Sequence, residues 1–278
     1  MKKDRRIDIM GILNITDDSY FAESRCADVP AALIRTERML SEGADIIDIG
    51  ACSTRPGSLP VGADEEWRRL EPVLAAINEK FPNARLSIDT YWSSVVRKSY
   101  DLIGDFIVND ISSGANDPEM LAAVGALGLP YIAMHSSGLH DSIHAPTVCG
   151  NIVSAVISFF EDYALKASRS GIKDWILDPG FGFSKTIDQN WELFASLDEL
   201  SRVFQDRRIL VGVSRKSMIY KPLGISPEES LPATQAVHLA ALQRGADILR
   251  AHDVAEAVQT VSVYRKIDTS GANKIDLF

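Results

Sequence analysis

A short junction recurs four times along the chain, at points where a helical pattern ends and an apolar run begins. The clearest copies are Gly43-Ala44-Asp45-Ile46-Ile47 and Gly245-Ala246-Asp247-Ile248-Leu249, with looser copies at 104–107 and 171–176. Glycine readily takes the left-handed conformation that ends a helix, and an apolar β-branched run after it favours a buried strand. The repeated helix–Gly–Asp–strand junction therefore predicts a chain built from βα units.

Eight β-rich runs are spaced evenly along the sequence and begin near Ile7, Asp45, Arg85, Asp105, Pro130, Asp174, Arg208 and Asp247. Seven intervals separate the first run from the last, which gives a mean repeat of about 34 residues, the size of one strand–helix unit. The runs are nearly continuous in apolar residues, as in a parallel sheet covered by helices. We predict an α/β fold, a (β/α)8 TIM barrel forming one domain over 1–278 with a short polar tail from about residue 268. A doubly wound open sheet is the alternative.

Apolar residues three and four positions apart mark helices between these runs. One pattern extends from Trp67 to Phe81 and is ended by Pro82-Asn83, and another covers 152–163. Asp117-Pro118 predicts an N-cap followed by proline at the first helical position. Ser226-Pro227-Glu228-Glu229 has the spacing of a capping box.

Composition excludes several classes of protein. The 278 residues carry 29 Lys and Arg against 38 Asp and Glu, a net charge of −9, which argues against broad binding to nucleic acid or anionic membranes. The basic start of the chain is followed by a run that Asp8 and Asn14 interrupt, so a signal peptide is not expected. Three cysteines without C-x-x-C spacing are typical of reduced thiols. We therefore expect a cytoplasmic protein.

Each apolar run ends in polar residues, where a barrel of this type places its catalytic groups. In chain order these are Asn14, Ser53–Gly57, Asp89, Asn109-Asp110, His135, Asp178, Ser214–Ser217 and Arg250-Ala251-His252. A single polar strand end is explained by solvent or by helix capping. Buried charges of both signs, however, need partners or ligands, so the complete set points to a binding site.

Two ligand chemistries suit these residues. Asp89, Asn109 and Asp178 supply deep acceptors for the amide–amine edge of a pterin or guanine ring. Positive charge and donors for a phosphate or pyrophosphate come from Thr54, Arg55, Arg250 and His252, and Lys216 can bridge the two halves. The predicted ligands are therefore a heteroaromatic ring and a small anion.

Other constellations are weaker. His135, His140 and His144 have a spacing that zinc could accept, but Gly138 and Pro146 place them in a loop. Gly180-Phe181-Gly182 lacks the rest of a dinucleotide fingerprint, and the sequence contains no G-x-x-x-x-G-K-[ST] segment.

Over nearly its whole length the chain resembles the dihydropteroate synthase family. The motifs that carry the resemblance are Met10–Thr16, Ser53–Gly57, Ser87–Thr90, Asn109–Ile111, Asp178–Phe183, Ser214–Ser217 and Arg250–Asp253. Each segment is short, but their number and order, each at a predicted strand end, are highly specific.

The resemblance implies a transferase of folate biosynthesis that joins p-aminobenzoate to a dihydropterin methyl diphosphate and releases pyrophosphate. It implies that Asp89, Asn109, Met134, Asp178 and Lys216 hold the pterin. Asn14 would meet Mg²⁺, and Thr54, Arg250 and His252 would meet the pyrophosphate. Arg55, Pro56, Phe183 and Ser217 would border p-aminobenzoate, where sulfonamides compete. Asp89, Asp178, Lys216 and Arg250 form the implied catalytic set, and the family also implies a homodimer.

The first loop departs from the family pattern, because Thr16-Asp17-Asp18-Ser19-Tyr20-Phe21-Ala22-Glu23-Ser24 lacks the usual proline and both glycines. Cys52 also stands where the family commonly has Glu, and Ser184 replaces a Gly. These changes leave open a pterin-binding paralogue with weak or no synthase activity. A pterin-dependent methyl-transfer barrel and a Schiff-base aldolase with Lys216 as nucleophile also stay open as functions.

Overall fold

The computed structural model describes residues 6–15, 28–52, 61–136 and 150–272. Eight strands and ten α-helices occur in these residues. In chain order they are β1 (Asp8–Asn14), α1 (Val29–Glu42), β2 (Ile46–Gly50), α2 (Ala63–Lys80), β3 (Leu86–Asp89), α3 (Ser93–Ile103), β4 (Ile107–Asp110), α4 (Met120–Leu127), β5 (Tyr131–Met134), α5 (Ile152–Arg169), β6 (Trp175–Asp178), α6 (Ile187–Ala195), α7 (Leu197–Val203), β7 (Arg208–Val211), α8 (Ser217–Leu223), α9 (Leu231–Gln243), β8 (Ile248–Ala251) and α10 (Val254–Ala272). No helix in these ranges is long and apolar enough to cross a membrane.

The strands close into a barrel in which each strand pairs in parallel with the next one in the sequence. Closure is made by β1 and β8, where Asp8 lies opposite Ile248 and Gly11 opposite Ala251. The predicted single-domain (β/α)8 barrel is confirmed, and the doubly wound open sheet is wrong. Helix α10 continues to Ala272. The predicted start of a polar tail, at about residue 268, lies within this helix.

The structure explains why an aspartate follows the junction glycine. Gly43 and Gly245 have φ values of +101° and +109°, the left-handed conformation that ends the preceding helix. Asp45 Oδ2 then accepts the backbone N–H of Ile9 at 2.9 Å, and Asp247 Oδ2 accepts that of Ile209 at 2.8 Å. Each carboxylate thus satisfies a backbone donor at the start of the neighbouring strand, and the junction ties adjacent βα units together.

A second polar cluster lies at the amino end of the barrel. Asp8 is completely buried and accepts from Arg6 at 2.7 Å, Arg85 at 3.1 Å and Arg208 at 2.8 Å. Burial alone would raise the pKa of Asp8, but the hydrogen bonds and charges of the three guanidinium groups outweigh it, so the pKa lies below its ordinary value. This cluster joins residues near the starts of β1, β3 and β7.

Side chains alternate along each strand between the lumen and the helices, and this period of two builds the interior in layers. Seven strands contribute one apolar residue each to a buried ring inside the barrel, namely Met10, Ile46, Ile107, Ile132, Ile176, Leu210 and Ile248. A larger apolar cluster fills the space between the strands and the helices. The residue two positions after a ring member also faces the lumen, closer to the carboxyl end of its strand.

Three of the four helix predictions are confirmed, including that over 152–163, which α5 covers, and one is wrong. Helix α2 ends at Lys80 with Phe81 as its C-cap, and Ser226 and Glu229 form reciprocal hydrogen bonds of 2.9 and 3.3 Å before a 3₁₀ turn at Glu228–Ser230. Helix α4 begins at Met120, later than Asp117-Pro118 predicts. Asp117 instead divides its carboxylate between the backbone N–H groups of Glu119 at 2.9 Å and Ser93 at 2.7 Å, and so links α3 to the start of α4.

Candidate active site at the carboxyl end of the barrel

The layer above the apolar ring contains four of the polar residues that the sequence places at strand ends, namely Asp89, Asn109, Asp178 and Arg250. Four polar or charged residues each lie two positions after a residue of the apolar ring, namely Asp48, Asn109, Asp178 and Arg250. Asp89 lies at the same level on β3. These side chains converge at the end of the lumen where barrels of this type hold their active sites. For the four predicted residues, the expectation that polar strand ends meet at one end of the barrel is confirmed.

Arg250 is at the centre of a charged network in this layer. Its Nε donates to Asp48 Oδ2 at 2.7 Å and its Nη2 donates to Asp89 Oδ2 at 2.9 Å. Asn109 Nδ2 donates to the same Asp48 carboxylate at 3.1 and 3.3 Å. One guanidinium group therefore fixes two carboxylates, from β2 and β3, in a single arrangement.

Asp48 is a site residue that the sequence reasoning missed. It is completely buried within β2 and makes the shortest contact of Arg250. The available signal was a charged residue inside the apolar run Ile46-Ile47-Asp48-Ile49, which is costly unless the charge is paired. The residues predicted from the sequence lie at the ends of the apolar runs, whereas Asp48 lies inside one.

The acceptors of this layer are electrostatically crowded. Burial raises the pKa of Asp89, Asp48 and Asp110 raise it further, and Arg250 acts against them. Burial also raises the pKa of Asp178, against the opposing charge of Lys216. The lumen thus favours a ligand that donates hydrogen bonds or carries positive charge on this side.

Lys216 reaches the lumen from the turn after β7. Its Nζ donates to the backbone oxygen of Phe181 and lies 4.4 Å from the centre of the Phe183 ring. Burial lowers the pKa of Lys216 to about 8, although Asp178 favours the charged form. Asp178 Oδ1 accepts the N–H of Gly180 at 2.8 Å, so one loop joins Asp178, Phe183 and Lys216.

His252 lies beyond the end of β8 and has its own set of contacts. Its Nδ1 is 3.1 Å from Ser214 Oγ, its backbone N–H donates to the same oxygen at 3.3 Å, and Arg35 donates to its carbonyl oxygen at 2.7 Å. With Arg35, Arg215 and Asp253 it lines a cavity of about 320 Å³ beside the barrel. Burial and then the charge of Arg250 lower the pKa of His252 to about 3, so the ring is neutral.

An apolar wall flanks the polar layer. Tyr91, Ile111 and Met134 are buried together, with Cys52, Trp92 and Phe183 packed against them. The Tyr91 hydroxyl lies 3.5 Å from Cys52 Sγ. Only Met134 and Phe183 of this wall were predicted as site residues, because the sequence pattern gave no reason to place Tyr91 and Trp92 beside them.

Several residues named from the sequence do not lie in this polar layer or are outside the described residues. Thr54, Arg55 and Pro56 lie outside the described residues, as do the altered first loop, His140 and His144. Asn14 is half-buried at the end of β1, and Ser217 is the first residue of α8. His135 is buried, with its pKa lowered to about 3 by burial and by Lys185. In the part of the chain that the structure describes, no group of three His, Cys, Asp or Glu residues is placed to hold a metal ion.

Known proteins resemble this chain in both sequence and structure. Residues 10–252 match the sequence profile of a family described as pterin binding enzyme. The chain is 35% identical over 268 residues to the dihydropteroate synthase of Escherichia coli (strain K12), covering 96% of this chain and 93% of the relative. A crystal structure of Yersinia pestis dihydropteroate synthase in a sulfonamide drug complex superposes with a TM-score of 0.88 at 35% identity, covering 95% of both chains. Xanthomonas albilineans dihydropteroate synthase with 4-aminobenzoic acid gives a TM-score of 0.85 at 34% identity, covering 95% of this chain and 93% of that one.

Proposed function

This chain belongs to the dihydropteroate synthase family of pterin-binding enzymes, transferases of folate biosynthesis, and we propose that it condenses 7,8-dihydropterin-6-ylmethyl diphosphate with p-aminobenzoate. The products are 7,8-dihydropteroate and pyrophosphate. The observation that carries the proposal is the network in which Arg250 joins Asp48 and Asp89 beside Asn109. It provides a row of largely buried acceptors that a flat heteroaromatic ring would meet inside the barrel.

The pterin end of the substrate fits this layer by hydrogen-bond chemistry. The ring presents amine and N–H donors on one edge, which Asp89 and Asp178 can accept, and the amide of Asn109 can both donate and accept. Lys216 supplies a donor for a ring oxygen or nitrogen. The wall that includes Met134 offers an apolar surface for the face of the ring.

The reaction needs negative charge near the pterin and donors near the leaving group. Breaking the C–O bond leaves positive charge on the pterin methylene, which the carboxylates of Asp89 and Asp178 favour. Negative charge gathers on the pyrophosphate, to which Arg250 and His252 would donate hydrogen bonds. A charge-assisted hydrogen bond contributes about 1.5–3 kcal/mol, so two or three of them lower the barrier enough for several powers of ten in rate.

The amine of p-aminobenzoate then captures the methylene carbon. It is already a nucleophile, and after C–N bond formation the nitrogen releases a proton, so no strong base is required. Phe183 and Ser217 would border this substrate, together with Arg55 and Pro56. The Xanthomonas relative with 4-aminobenzoic acid and the Yersinia relative with a sulfonamide support this second pocket and its competition by sulfonamides.

The proposed cofactor is Mg²⁺, held through Asn14. A Cβ built on Gly50 would lie 3.3 Å from Asp89 Cβ and 3.7 Å from Asn14 Oδ1, so Asn14 and Asp89 lie on the same side of β2. A single protein oxygen suits an ion that usually retains waters and takes its other ligands from substrate phosphates. When bound, the ion would neutralise charge on the diphosphate.

Pyrophosphate release by the purified protein tests the proposal. The assay combines the pterin diphosphate with and without p-aminobenzoate, and with Mg²⁺ or EDTA. We expect release that requires both the amine and Mg²⁺ and that sulfanilamide inhibits in competition with p-aminobenzoate. Tight pterin binding without turnover would instead identify a non-catalytic paralogue, the second candidate, which the altered first loop favours.

A homodimer, proposed from the family alone, is checked by light scattering during gel filtration.

The Schiff-base alternative is tested separately. An aldolase would form an imine between Lys216 and a carbonyl substrate, which borohydride would trap as a stable adduct. In the structure this ammonium donates to a backbone oxygen, an arrangement that suits a hydrogen-bond donor better than a free nucleophile. We expect mass spectrometry to find no adduct at Lys216.

A further inference from the structure

A second buried lysine lies next to the site and has no part in the chemistry proposed above. Lys185 is 7% exposed, and its Nζ donates to three backbone oxygens: Gly180 at 2.9 Å, Phe183 at 3.1 Å and His135 at 3.3 Å. An ammonium group has three N–H donors, and each of them finds an acceptor here. The side chain therefore binds the loop after β6 to the end of β5.

The loop that Lys185 holds has an unusual backbone. Gly180, Gly182 and Ser184 all have positive φ, and for Ser184 this conformation is uncommon. The loop also approaches β5 so closely that a Cβ on Gly180 would lie 2.1 Å from the backbone oxygen of His135. A backbone of this kind persists only where surrounding contacts determine it, and Lys185 provides three of them.

The same loop carries the groups that face the lumen. The backbone oxygen of Phe181 accepts from Lys216, and the ring of Phe183 lies 4.4 Å from the Lys216 Nζ. Two ammonium groups therefore hold carbonyls of one short segment. Lys216 contacts it from the lumen and Lys185 from the buried side, so a shift at Lys185 would move the contacts of Lys216.

We propose that Lys185 is a positioning residue for the reaction, which fixes the loop at 180–183 and thereby places Phe183 and Lys216. The proposal rests on the proposed function for its kinetic consequence, since Phe183 borders the p-aminobenzoate pocket there. The loop geometry itself does not depend on that function. Lys185 touches neither substrate in this account and acts through the loop.

Two substitutions and one control test this role. Lys185→Met keeps the length of the side chain and removes all three donors, whereas Lys185→Arg retains charge and donors. Thr186→Ala is the matched control, because it breaks the capping box with Gln189 at the start of α6 and leaves the three carbonyl contacts in place. For each variant we would measure melting temperature, KM for p-aminobenzoate and the affinity for the pterin diphosphate.

We expect Lys185→Met to raise KM for p-aminobenzoate by about tenfold or more, a loss of about 1.4 kcal/mol in that interaction, with a smaller loss of pterin affinity. Lys185→Arg should recover part of this loss. Thr186→Ala should lower the melting temperature with KM unchanged. If Lys185→Met lowered the melting temperature and left KM unchanged, as in the control, the role would be structural only and the proposal wrong.

A readout that needs no substrate separates this proposal from the proposed function. Acetic anhydride labels lysines at a rate that falls when the amine is held in a hydrogen bond, and mass spectrometry measures the label at Lys216. In Lys185→Met we expect Lys216 to be labelled about threefold faster or more than in the wild type or in Thr186→Ala. An unchanged rate would overturn the positioning role even in a protein that proved to have no synthase activity.

Discussion

Asp48 is the acceptor that Arg250 and Asn109 share, and it is buried where water cannot replace either donor. Removing one partner of a buried ion pair leaves the other charge without compensation. We therefore predict that Asp48→Ala lowers the free energy of unfolding by about 3–5 kcal/mol and weakens pterin binding by at least tenfold. Urea unfolding and calorimetric titration would measure the two effects.

Ser87 supplies the matched control for this prediction. It is completely buried in β3, and its hydroxyl has no hydrogen-bond partner among the described residues. Ser87→Ala removes a buried hydroxyl from the barrel without breaking a hydrogen bond to another described residue, so we expect little change in stability or in pterin affinity. A loss in this variant as large as that in Asp48→Ala would contradict the role of the Arg250 network.

We expect Ser214 to determine which nitrogen of His252 carries the proton. Its Oγ accepts the backbone N–H of His252 at 3.3 Å and lies 3.1 Å from His252 Nδ1, to which we expect the hydroxyl to donate. The neutral ring is then protonated at Nε2, the atom that would donate to a pyrophosphate oxygen. We predict that ¹⁵N NMR finds this tautomer alone in the wild type and both tautomers in Ser214→Ala. One unchanged tautomer in the variant would show that another contact sets it.

At the scale of elements, the sequence was most informative where local chemistry decides the structure. The junctions at Gly43 and Gly245 predicted strand starts to within a few residues. Each junction ends a helix in the left-handed conformation, which favours glycine, so the sequence marks the position. The start of α4 was misplaced because Asp117 also receives the N–H of Ser93, a residue 24 positions away. Asp48 faces the lumen from inside a nearly continuous apolar run. Because polar and apolar residues do not alternate there, the pattern did not show which residues face the lumen. The sequence therefore predicted where strands begin and end better than which side chains meet.

The cluster around Asp8 links the starts of three strands and makes the stability of the barrel depend on pH. The pKa of Asp8 is lower in the folded protein than in the unfolded chain, so its contribution is complete above the unfolded value of about 3.9. It is lost as the pH falls through the lower folded pKa. We predict that Asp8→Asn lowers stability at pH 7 by about 2–3 kcal/mol, below the roughly 3–5 kcal/mol of fully buried pairs because the arginines are partly exposed.

Acid unfolding checks this prediction. In the wild type, stability should fall on acidification below about pH 4, and in Asp8→Asn the same fall should be smaller because the titrating group is absent. Asp198→Asn is a suitable control, since that carboxylate is 57% exposed and contacts Arg202 on the surface of α7. Parallel acid profiles for wild type and Asp8→Asn would contradict the assignment.

At the scale of the whole molecule, a net charge of −9 coexists with the proposed site for a diphosphate anion. Arg250 is paired with two carboxylates, so its positive charge is already offset and a diphosphate needs the metal to neutralise its own charge. We predict that the pterin diphosphate with Mg²⁺, at about a hundred times its Kd, stabilises the fold by about 2.7 kcal/mol and raises Tm by several degrees. Without Mg²⁺ the rise should be distinctly smaller in differential scanning fluorimetry. An equal rise in EDTA would remove the metal from the proposal.

The contact between Asp8 and Arg208 has a consequence for how the chain acquires its fold during synthesis. These residues are 200 positions apart, and the backbone N–H of Asp8 pairs with Asp247 O, later still. The first strand therefore leaves the ribosome long before the groups that complete its surroundings exist. Because contacts of such separation form slowly, the early units must wait in an open arrangement that exposes the edge of β1. We therefore expect β1 to stay without its second neighbouring strand until β8 has been translated.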